Sequence, residues 1–236
     1  MPTSDRYDTL PRYRDADVVA AFMRGVYGWM CGGLAITAVT AWLVASSPAV
    51  TAAIFGNRMA FWILAIAQLG IVIVLSARVD RMASSTASAL FIVYSALTGV
   101  TLSAILLVYT GESVFTTFLV AAGMFGALAA YGTVTRRDLT GFGQFLFMGL
   151  IGVVLASIVG IFWHSSALQF LISFIGVIVF AGLTLYDAQR LKELAFATNA
   201  GRVSGATIVG ALALYLDFIN LFLFLLRFLG NRRDDW

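Results

Sequence analysis

Long apolar stretches separated by short polar ones run through almost the whole chain. A helix needs about 20 apolar residues to cross a hydrocarbon core of about 30 Å, so long uncharged runs indicate membrane spans. The seventh run qualifies only if one interior aspartate is accepted. The pattern predicts an all-α integral membrane protein with seven transmembrane helices, over Gly25–Ala45, Met59–Ala77, Ala83–Thr110, Ser113–Thr135, Leu139–Trp163, Ser165–Tyr186 and Val203–Leu226.

The sixth predicted helix continues beyond its apolar run, since four later apolar residues keep helical spacing: Leu191, Leu194, Ala195 and Phe196. The helix then ends near Thr198, and the turn centres on residues 199–205. Asp187 and Asp217 would each lie about ten residues, or about 15 Å, from this turn on antiparallel neighbours. We therefore expect the two carboxyl groups to be able to meet.

The two ends of the chain are polar. Residues 1–21 mix acidic and basic side chains, without the basic-then-apolar order and the small-residue cleavage site of a signal peptide. The sequence predicts a cytoplasmic polar arm over 1–21, a transmembrane domain over 22–230 and a short polar tail over 231–236.

The basic residues predict the orientation, because short loops rich in Lys and Arg stay in the cytoplasm. Four of the 15 basic residues, Arg58, Arg227, Arg232 and Arg233, fall on the opposite side when the N-terminus is cytoplasmic. The C-terminus then lies outside, and the arginine-rich composition favours a bacterial inner membrane. The cytoplasmic side holds the others: Arg6, Arg12, Arg14, Arg24, Arg78, Arg81, Arg136, Arg137, Arg190, Lys192 and Arg202.

Composition excludes several classes of function. With 61% apolar and 11% charged residues, the chain falls far outside the range of soluble domains, where about 25% of residues are charged. The net charge of +3 is scattered, so a nucleic acid is not an expected partner. Cys31 is the single cysteine, which excludes an intrachain disulfide and a cysteine zinc cluster. Hydrolase and nucleotide motifs are missing, so we expect neither an enzyme nor a resident cofactor.

Asp217 is the residue whose position demands an explanation. Apolar residues surround it inside the seventh span, where a charge costs at least about 2.5–3.5 kcal/mol without a partner or water. Gly210, Ala213, Asp217 and Asn220 share one helix face, so a close neighbour and a second polar group are available. Two carboxyls at one site cannot both ionise cheaply and titrate as a unit. The pair of Asp187 and Asp217 is thus a candidate proton sensor.

Three other interpretations of these aspartates stay open. Asp187 can pair with Arg190 one helical turn away, and Asp217 can hydrogen-bond across the bundle as a structural contact. An intramembrane aspartyl protease also uses two aspartates. Tyr186-Asp187 fits the first signature of those enzymes, but Leu216-Asp217 lacks the glycines of the second.

The remaining polar residues near the spans have plain interpretations. Arg78 and Arg81 end the second span as headgroup anchors, and the sharper hypothesis makes Arg78 a counter-charge to the aspartate pair. We expect Gln68 to form a hydrogen bond between helices and His164 to lie in a solvated turn. Small residues four apart predict close helix contacts: Gly28 with Gly32, Ala122 with Gly126, Gly152 with Ala156 and Gly160, and Ala206 with Gly210.

Two segments carry a resemblance to a known family. Residues 183–192 have the sequence LTLYDAQRLK, and residues 211–230 have ALALYLDFINLFLFLLRFLG. With these segments the chain strongly resembles the Bax inhibitor-1 (transmembrane Bax inhibitor motif) family over essentially its whole length. The resemblance implies six helices, in two groups of three, around a central seventh helix.

The resemblance also implies a function, a pH-sensitive calcium leak. Asp187 and Asp217 fall on the two motifs as the sensor and as transient calcium contacts, with Arg78 or Arg81 as the partner from the second helix. Gln68 stands where some members have a glutamate. In the resulting hypothesis the charged pair holds Arg78 and keeps the pathway shut, protonation opens it, and calcium is the permeating ion.

A regulator without transport is the alternative function. Eukaryotic members of the family suppress cell death, and a bacterial member binds an ATP-dependent membrane protease. The resemblance therefore also allows a membrane-embedded partner of such a protease or of another complex, acting through the polar arm. A proton-coupled transporter finds less support, since no helix carries the paired glycine or proline interruptions typical of a substrate cavity.

Overall fold

The computed structural model describes residues 10–79, 82–163, 165–197 and 203–233. Within them, seven helices are long and apolar enough to cross a membrane, and they correspond to the seven predicted spans. This confirms the all-α multi-pass membrane class. The short helix α2 after the first span was not expected. The helices are α1 (Leu10–Ala45), α2 (Pro48–Phe55), α3 (Arg58–Arg78), α4 (Ser84–Val108), α5 (Gly111–Val134), α6 (Thr140–Phe162), α7 (Ser166–Ala197) and α8 (Val203–Leu229).

The spans form two groups of three around α8, as the family resemblance implies. In one group α4 packs against both α1 and α3, and in the other α7 packs against both α5 and α6. Helix α8 contacts α1, α4, α5 and α7. It is the most buried span, with 67% of its most apolar stretch buried against 6% for the outermost helix α3. Helix α8, which carries Asp217, is therefore surrounded by other helices of the bundle.

The ends of α3, α5 and α7 lie at one end of the bundle, together with the start of α1. We call it the basic end, after Arg78, Arg136, Arg137, Arg190 and Lys192. At the basic end α1 already begins at Leu10, so the second half of the predicted polar arm continues the first spanning helix. The first half of the arm, residues 1–9, lies outside the described residues.

The C-terminal tail is attached at the opposite end of the bundle. The Thr110 N–H donates to the Asn231 carbonyl at 3.2 Å, and the Arg233 N–H donates to the Val108 carbonyl at 3.0 Å. These bonds supply partners for backbone groups in the turn between α4 and α5, which would otherwise lie unpaired near lipid. Residues 234–236 of the predicted tail lie outside the described residues.

Glycine allows close helix approach at positions that the four-residue spacing did not single out. A Cβ atom on Gly99 of α4 would lie 2.6 Å from the Thr37 carbonyl oxygen of α1, and one on Gly132 of α5 would overlap the Leu185 carbonyl of α7. Gly210 also packs closely, as predicted. The prediction was wrong for four other glycines, because no atom lies within 4 Å of an added Cβ at Gly28, Gly32, Gly126 and Gly152.

We expect Gly132→Ala to destabilise the bundle by about 1–3 kcal/mol, because the added methyl group forces α5 and α7 apart. Gly126→Ala is the matched control on the same helix, and open space there makes it neutral or slightly stabilising. Thermal unfolding of the two purified variants in detergent measures the difference. Equal melting temperatures would show that the α5–α7 contact is not tight.

Candidate functional site

The two aspartates of the sequence analysis meet between α7 and α8, where their side chains are hydrogen-bonded to each other. Asp217 is only 5% exposed, while Asp187 is half-buried. The Oδ2 atom of Asp217 is buried and receives no hydrogen bond from an N–H or hydroxyl group of the described residues. Because ionised carboxylates only accept hydrogen bonds, a bond between the two carboxyls requires a proton on one of them.

The pair lies close to the boundary of the bundle at its basic end. The Gln189 side chain accepts a hydrogen bond from the Leu139 N–H at 3.1 Å and donates one to the Arg137 carbonyl at 2.7 Å. These bonds hold α7 level with the turn between α5 and α6. Asp187, two residues earlier, is therefore only about 3 Å deeper than this turn. The rest of α7 extends beyond the turn to Ala197, close to the predicted end of this helix.

A crevice of about 640 Å³ opens beside the pair, between α6 and α8, with α7 as its floor. Ala213, Asp217 and Asn220 all line it, which confirms that they share one face of α8. The Asn220 side chain donates a hydrogen bond to the Leu216 carbonyl of its own helix at 2.8 Å, so it does not bridge to α7. The crevice gives half-buried Asp187 a path for proton exchange.

Arg190 is the basic residue that the structure brings to the pair. It is exposed, lines the crevice and acts electrostatically on Asp187. Arg78 lies exposed at the end of α3 and does not line the crevice. In the described part of the chain it forms no ion pair with either aspartate, and Arg81 lies outside the described residues. The structure therefore does not bring Arg78 together with the pair, and its role as partner stays a prediction.

Gln68 forms the hydrogen bond between helices that the sequence predicts. Its side-chain amide donates to the Thr101 hydroxyl at 2.6 Å and to the Leu97 carbonyl at 3.3 Å, which ties α3 to α4. Gln68 is not among the residues around the aspartate pair. His164 lies outside the described residues. Groups of three or more metal-ligating side chains are absent from the residues described.

An aromatic cluster, which we call the phenylalanine cluster, fills the interface of α5 and α8 beyond the pair. Its members are Phe118, Phe125, Phe218 and Phe222. The ring centroid of Phe218 lies 5.6 Å from that of Phe118 and 5.5 Å from that of Phe125, and Phe118 and Phe222 are 6.4 Å apart. The rings meet edge to face and form an apolar contact between α5 and α8.

A polar cavity of about 290 Å³ lies at the opposite end of the same helix pair. Hydroxyl, carboxyl and amide groups line it, including those of Thr110, Glu112, Ser113, Thr116 and Asn231. Asp217 and Leu229, which also lines the cavity, are twelve residues apart on α8, a distance of about 18 Å. Polar groups thus lie at two levels of α8, at Asp217 and at this cavity, with Phe218 and Phe222 of the phenylalanine cluster between them.

Residues 19–234 match the family model described as "Inhibitor of apoptosis-promoting Bax1". The chain belongs to the Bax inhibitor-1 family. It is 53% identical over 215 residues to the inner membrane protein YbhL of Escherichia coli K12, covering 90% of this chain and 92% of YbhL. An uncharacterized protein of Deinococcus radiodurans is 45% identical over 235 residues, covering 99% of this chain and 100% of that protein. One from Borreliella burgdorferi is 45% identical over 216 residues, covering 91% and 93%.

In this Bax inhibitor-1 family member, the second motif holds a further buried polar residue, Tyr215, that the sequence analysis missed. Its hydroxyl lies 2.6 Å from the Thr37 hydroxyl of α1. Thr37 also lies 2.9 Å from the carbonyls of Gly33 and Ser95, which only accept. Thr37 therefore donates to a carbonyl and accepts from Tyr215. A tyrosine in a strongly apolar helix is the signal that marks such a contact, because a buried Tyr hydroxyl usually finds a partner.

Proposed function

We propose that this Bax inhibitor-1 family protein is a proton-gated leak pathway for calcium, with Asp187 and Asp217 as the proton sensor. The observation that carries the proposal is the hydrogen bond between two carboxyl groups on spanning helices, beside a crevice. Ionisable residues inside membrane spans are costly, and they typically mark ion or proton pathways. The pair is the place where the charge of the bundle interior can change with pH.

The strength of the bond between α7 and α8 depends on the number of protons that the pair holds. With one proton, the bond joins a carboxyl to a carboxylate, and such charge-assisted bonds are roughly twice as strong as neutral ones. A second proton makes the bond neutral and weaker. Loss of the proton leaves two like charges in contact. The pair therefore holds α7 to α8 most tightly with one proton, and acidification loosens it.

The proposed route for calcium follows α5 and α8 between the pair and the polar cavity at the opposite end. Calcium prefers oxygen ligands and water, which both ends offer through Asp187, Asp217 and Glu112. The rings of the phenylalanine cluster between them are apolar, and hydrophobic constrictions close pathways by dewetting. The arrangement supports a closed state that opens when α8 shifts against α5.

The proposed location is a bacterial inner membrane, with the N-terminus and the basic end in the cytoplasm. The positive-inside rule supports this orientation, and the relative YbhL is named an inner membrane protein. The pair then senses cytoplasmic pH, because Asp187 lies close to the boundary of the bundle on that side.

Calcium uptake into reconstituted vesicles, measured over a series of pH values, tests the proposal. The step from a charge-assisted to a neutral bond is worth about 1–1.5 kcal/mol. We therefore expect flux to rise roughly five- to tenfold between about pH 8 and about pH 5. Flux equal to that of protein-free vesicles, or flux that does not change with pH, would contradict the proposal.

Asp138→Asn is the matched control for charge at the same end of the bundle. The Thr140 hydroxyl and N–H donate to the Asp138 carboxylate at 2.6 and 2.8 Å. These two bonds hold the pKa of Asp138 below its usual range, and the bond from the Thr140 hydroxyl has the larger effect. Asp138 therefore stays ionised throughout the pH series. We expect the acid response of this variant to equal that of the unmodified protein.

A further inference from the structure

We propose that the crevice between α6 and α8 binds one phospholipid of the surrounding leaflet. The geometry places the lipid phosphate at Arg190, a primary ammonium group at Asp187 and one acyl chain along the deeper walls. The inference concerns occupancy of the crevice by lipid and does not depend on calcium conduction. Its basis is the polarity, the length and the open side of the crevice.

The lining of the crevice changes from polar to apolar with depth. At the level of the basic end it presents Gln144, Tyr186, Asp187 and Arg190. Deeper in the bundle most of the lining is apolar and includes Phe147, Met148, Leu150, Phe180 and Leu183, with Asn220 of α8 as the polar exception. A phospholipid has the same order along the membrane normal, with its charged headgroup at the boundary and its chains in the core.

The length of the crevice matches one leaflet. Gln189 is hydrogen-bonded to the turn between α5 and α6, which places the neighbouring Arg190 at the boundary of the bundle. Phe180 lies ten residues deeper on the same helix, a distance of about 15 Å. This equals half of a hydrocarbon core of about 30 Å. A volume of about 640 Å³ is in the range of known ligand pockets, about 300–1,000 Å³.

The crevice is open towards the bilayer. Helices α6 and α8 both pack on α7, whereas α6 and α8 are not among the helix pairs that pack closely. On the α6 wall, Phe147 is 60% exposed and Met148 is 71% exposed. A chain from the bilayer can therefore enter from the side, and its contacts with these walls replace contacts with other lipid chains.

The headgroup chemistry follows from the two charged residues. The guanidinium of Arg190 offers the forked donors that fit a phosphate group. Three residues earlier, Asp187 offers carboxylate oxygens, which accept the N–H groups of a primary ammonium. An ethanolamine headgroup supplies both groups at adjacent positions. A choline headgroup has no N–H to donate, and a glycerol headgroup has no positive charge.

Native mass spectrometry of the delipidated full-length protein in detergent tests this site. The probes are phosphatidylethanolamine, phosphatidylcholine and phosphatidylglycerol with identical acyl chains. We expect one tightly retained ethanolamine lipid per chain, bound about tenfold more strongly than the other two, since the selective contact is a charge-assisted hydrogen bond. Equal retention of the three lipids, or no retained lipid, would overturn the proposal.

Four variants locate the binding in the crevice. Arg190→Gln should weaken the binding of all three lipids about tenfold. Arg136→Gln removes an exposed arginine at the same end of the bundle and should leave lipid binding unchanged. Met148→Trp should obstruct the chain, unlike Ile151→Trp at a lipid-facing position of α6 outside the crevice lining. If Arg190→Gln and Met148→Trp bind like their controls, the lipid lies elsewhere and the proposal fails.

Calcium uptake by the same variants keeps this inference separate from the proposed function. Lipid binding that persists in a protein without calcium flux supports the site and counts against the leak pathway. Normal pH-dependent flux in a protein that retains no lipid supports the pathway and counts against the site.

Discussion

Asp217→Asn is expected to remove the acid response of calcium flux and to hold flux at the low level of the unmodified protein near neutral pH. The asparagine amide donates a hydrogen bond to the Asp187 carboxylate, and so imitates the pair with one proton. The variant can take up a proton only on Asp187, and the charge of nearby Arg190 opposes that protonation, so the bond between α7 and α8 stays charge-assisted in the pH range of the experiment. The variant therefore loses the whole increase in flux, roughly five- to tenfold, that we expect for the unmodified protein on acidification.

Asp187→Asn gives the reciprocal arrangement and is expected to behave in the same way. The side chain of each residue is hydrogen-bonded to the other, so neither variant should retain the response if the pair acts as one unit. Asp138→Asn serves again as the control that keeps it. An acid response that survives in both pair variants would remove the aspartates from the gating mechanism.

Phe218→Ala is expected to raise calcium flux about tenfold or more at every pH. Phe218 is buried and contacts Phe118 and Phe125 across the α5–α8 interface. Truncating a buried phenylalanine to alanine lowers the stability of a protein by about 3–5 kcal/mol. If about 1.4 kcal/mol of this loss affects the closed state alone, the ratio of open to closed protein rises tenfold. The space left by the ring also lets water reach the interior. The measurement is calcium uptake at fixed pH.

Phe224→Ala is the matched control on the same helix. Phe224 stacks on Phe180 of α7, with ring centroids 5.7 Å apart, so this variant loses a comparable contact away from α5. Phe218→Leu keeps an apolar side chain of intermediate size and should give intermediate flux. This variant tests the same prediction if the alanine variant folds poorly. Equal flux from Phe218→Leu, Phe224→Ala and the unmodified protein would exclude the phenylalanine cluster as the barrier.

The sequence was sufficient to predict the seven spans and the contact between the two aspartates. Membrane spans are predictable because backbone groups in lipid must be satisfied within the helix, so every long apolar run has one structural solution. The aspartate contact depended on Leu191 and Leu194, whose helical spacing extended the sixth span beyond Tyr186. With that extension, the similar depth of Asp187 and Asp217 followed from the rise per residue.

The partners of particular side chains were harder to predict, for a physical reason. In a bilayer, lipid-facing and buried helix surfaces are both apolar, so the sequence alone does not separate Phe218 in the α5–α8 interface from lipid-facing Phe147. The same ambiguity affects the glycines, since Gly132 packs against a backbone carbonyl while Gly126 faces open space. These distinctions require the rotation of each helix about its axis.

The arginine near the pair shows a second limit. The sequence favours Arg78 through the family resemblance, whereas the structure places Arg190 beside the crevice and Arg78 at the exposed end of α3. Arg190 was visible in the sequence as the local partner of Asp187, one turn away. Local helical spacing places Arg190 near Asp187, whereas a contact from α3 depends on how the outermost helix packs.

Infrared spectroscopy of the purified protein tests for the proton that we infer between Asp187 and Asp217. A protonated carboxyl has a carbonyl stretching band distinct from that of a carboxylate. At neutral pH we predict one such band, which disappears in both Asp187→Asn and Asp217→Asn and persists in Asp138→Asn. A spectrum without this band at neutral pH, or a band that both pair variants retain, would show that the two aspartates do not share a proton.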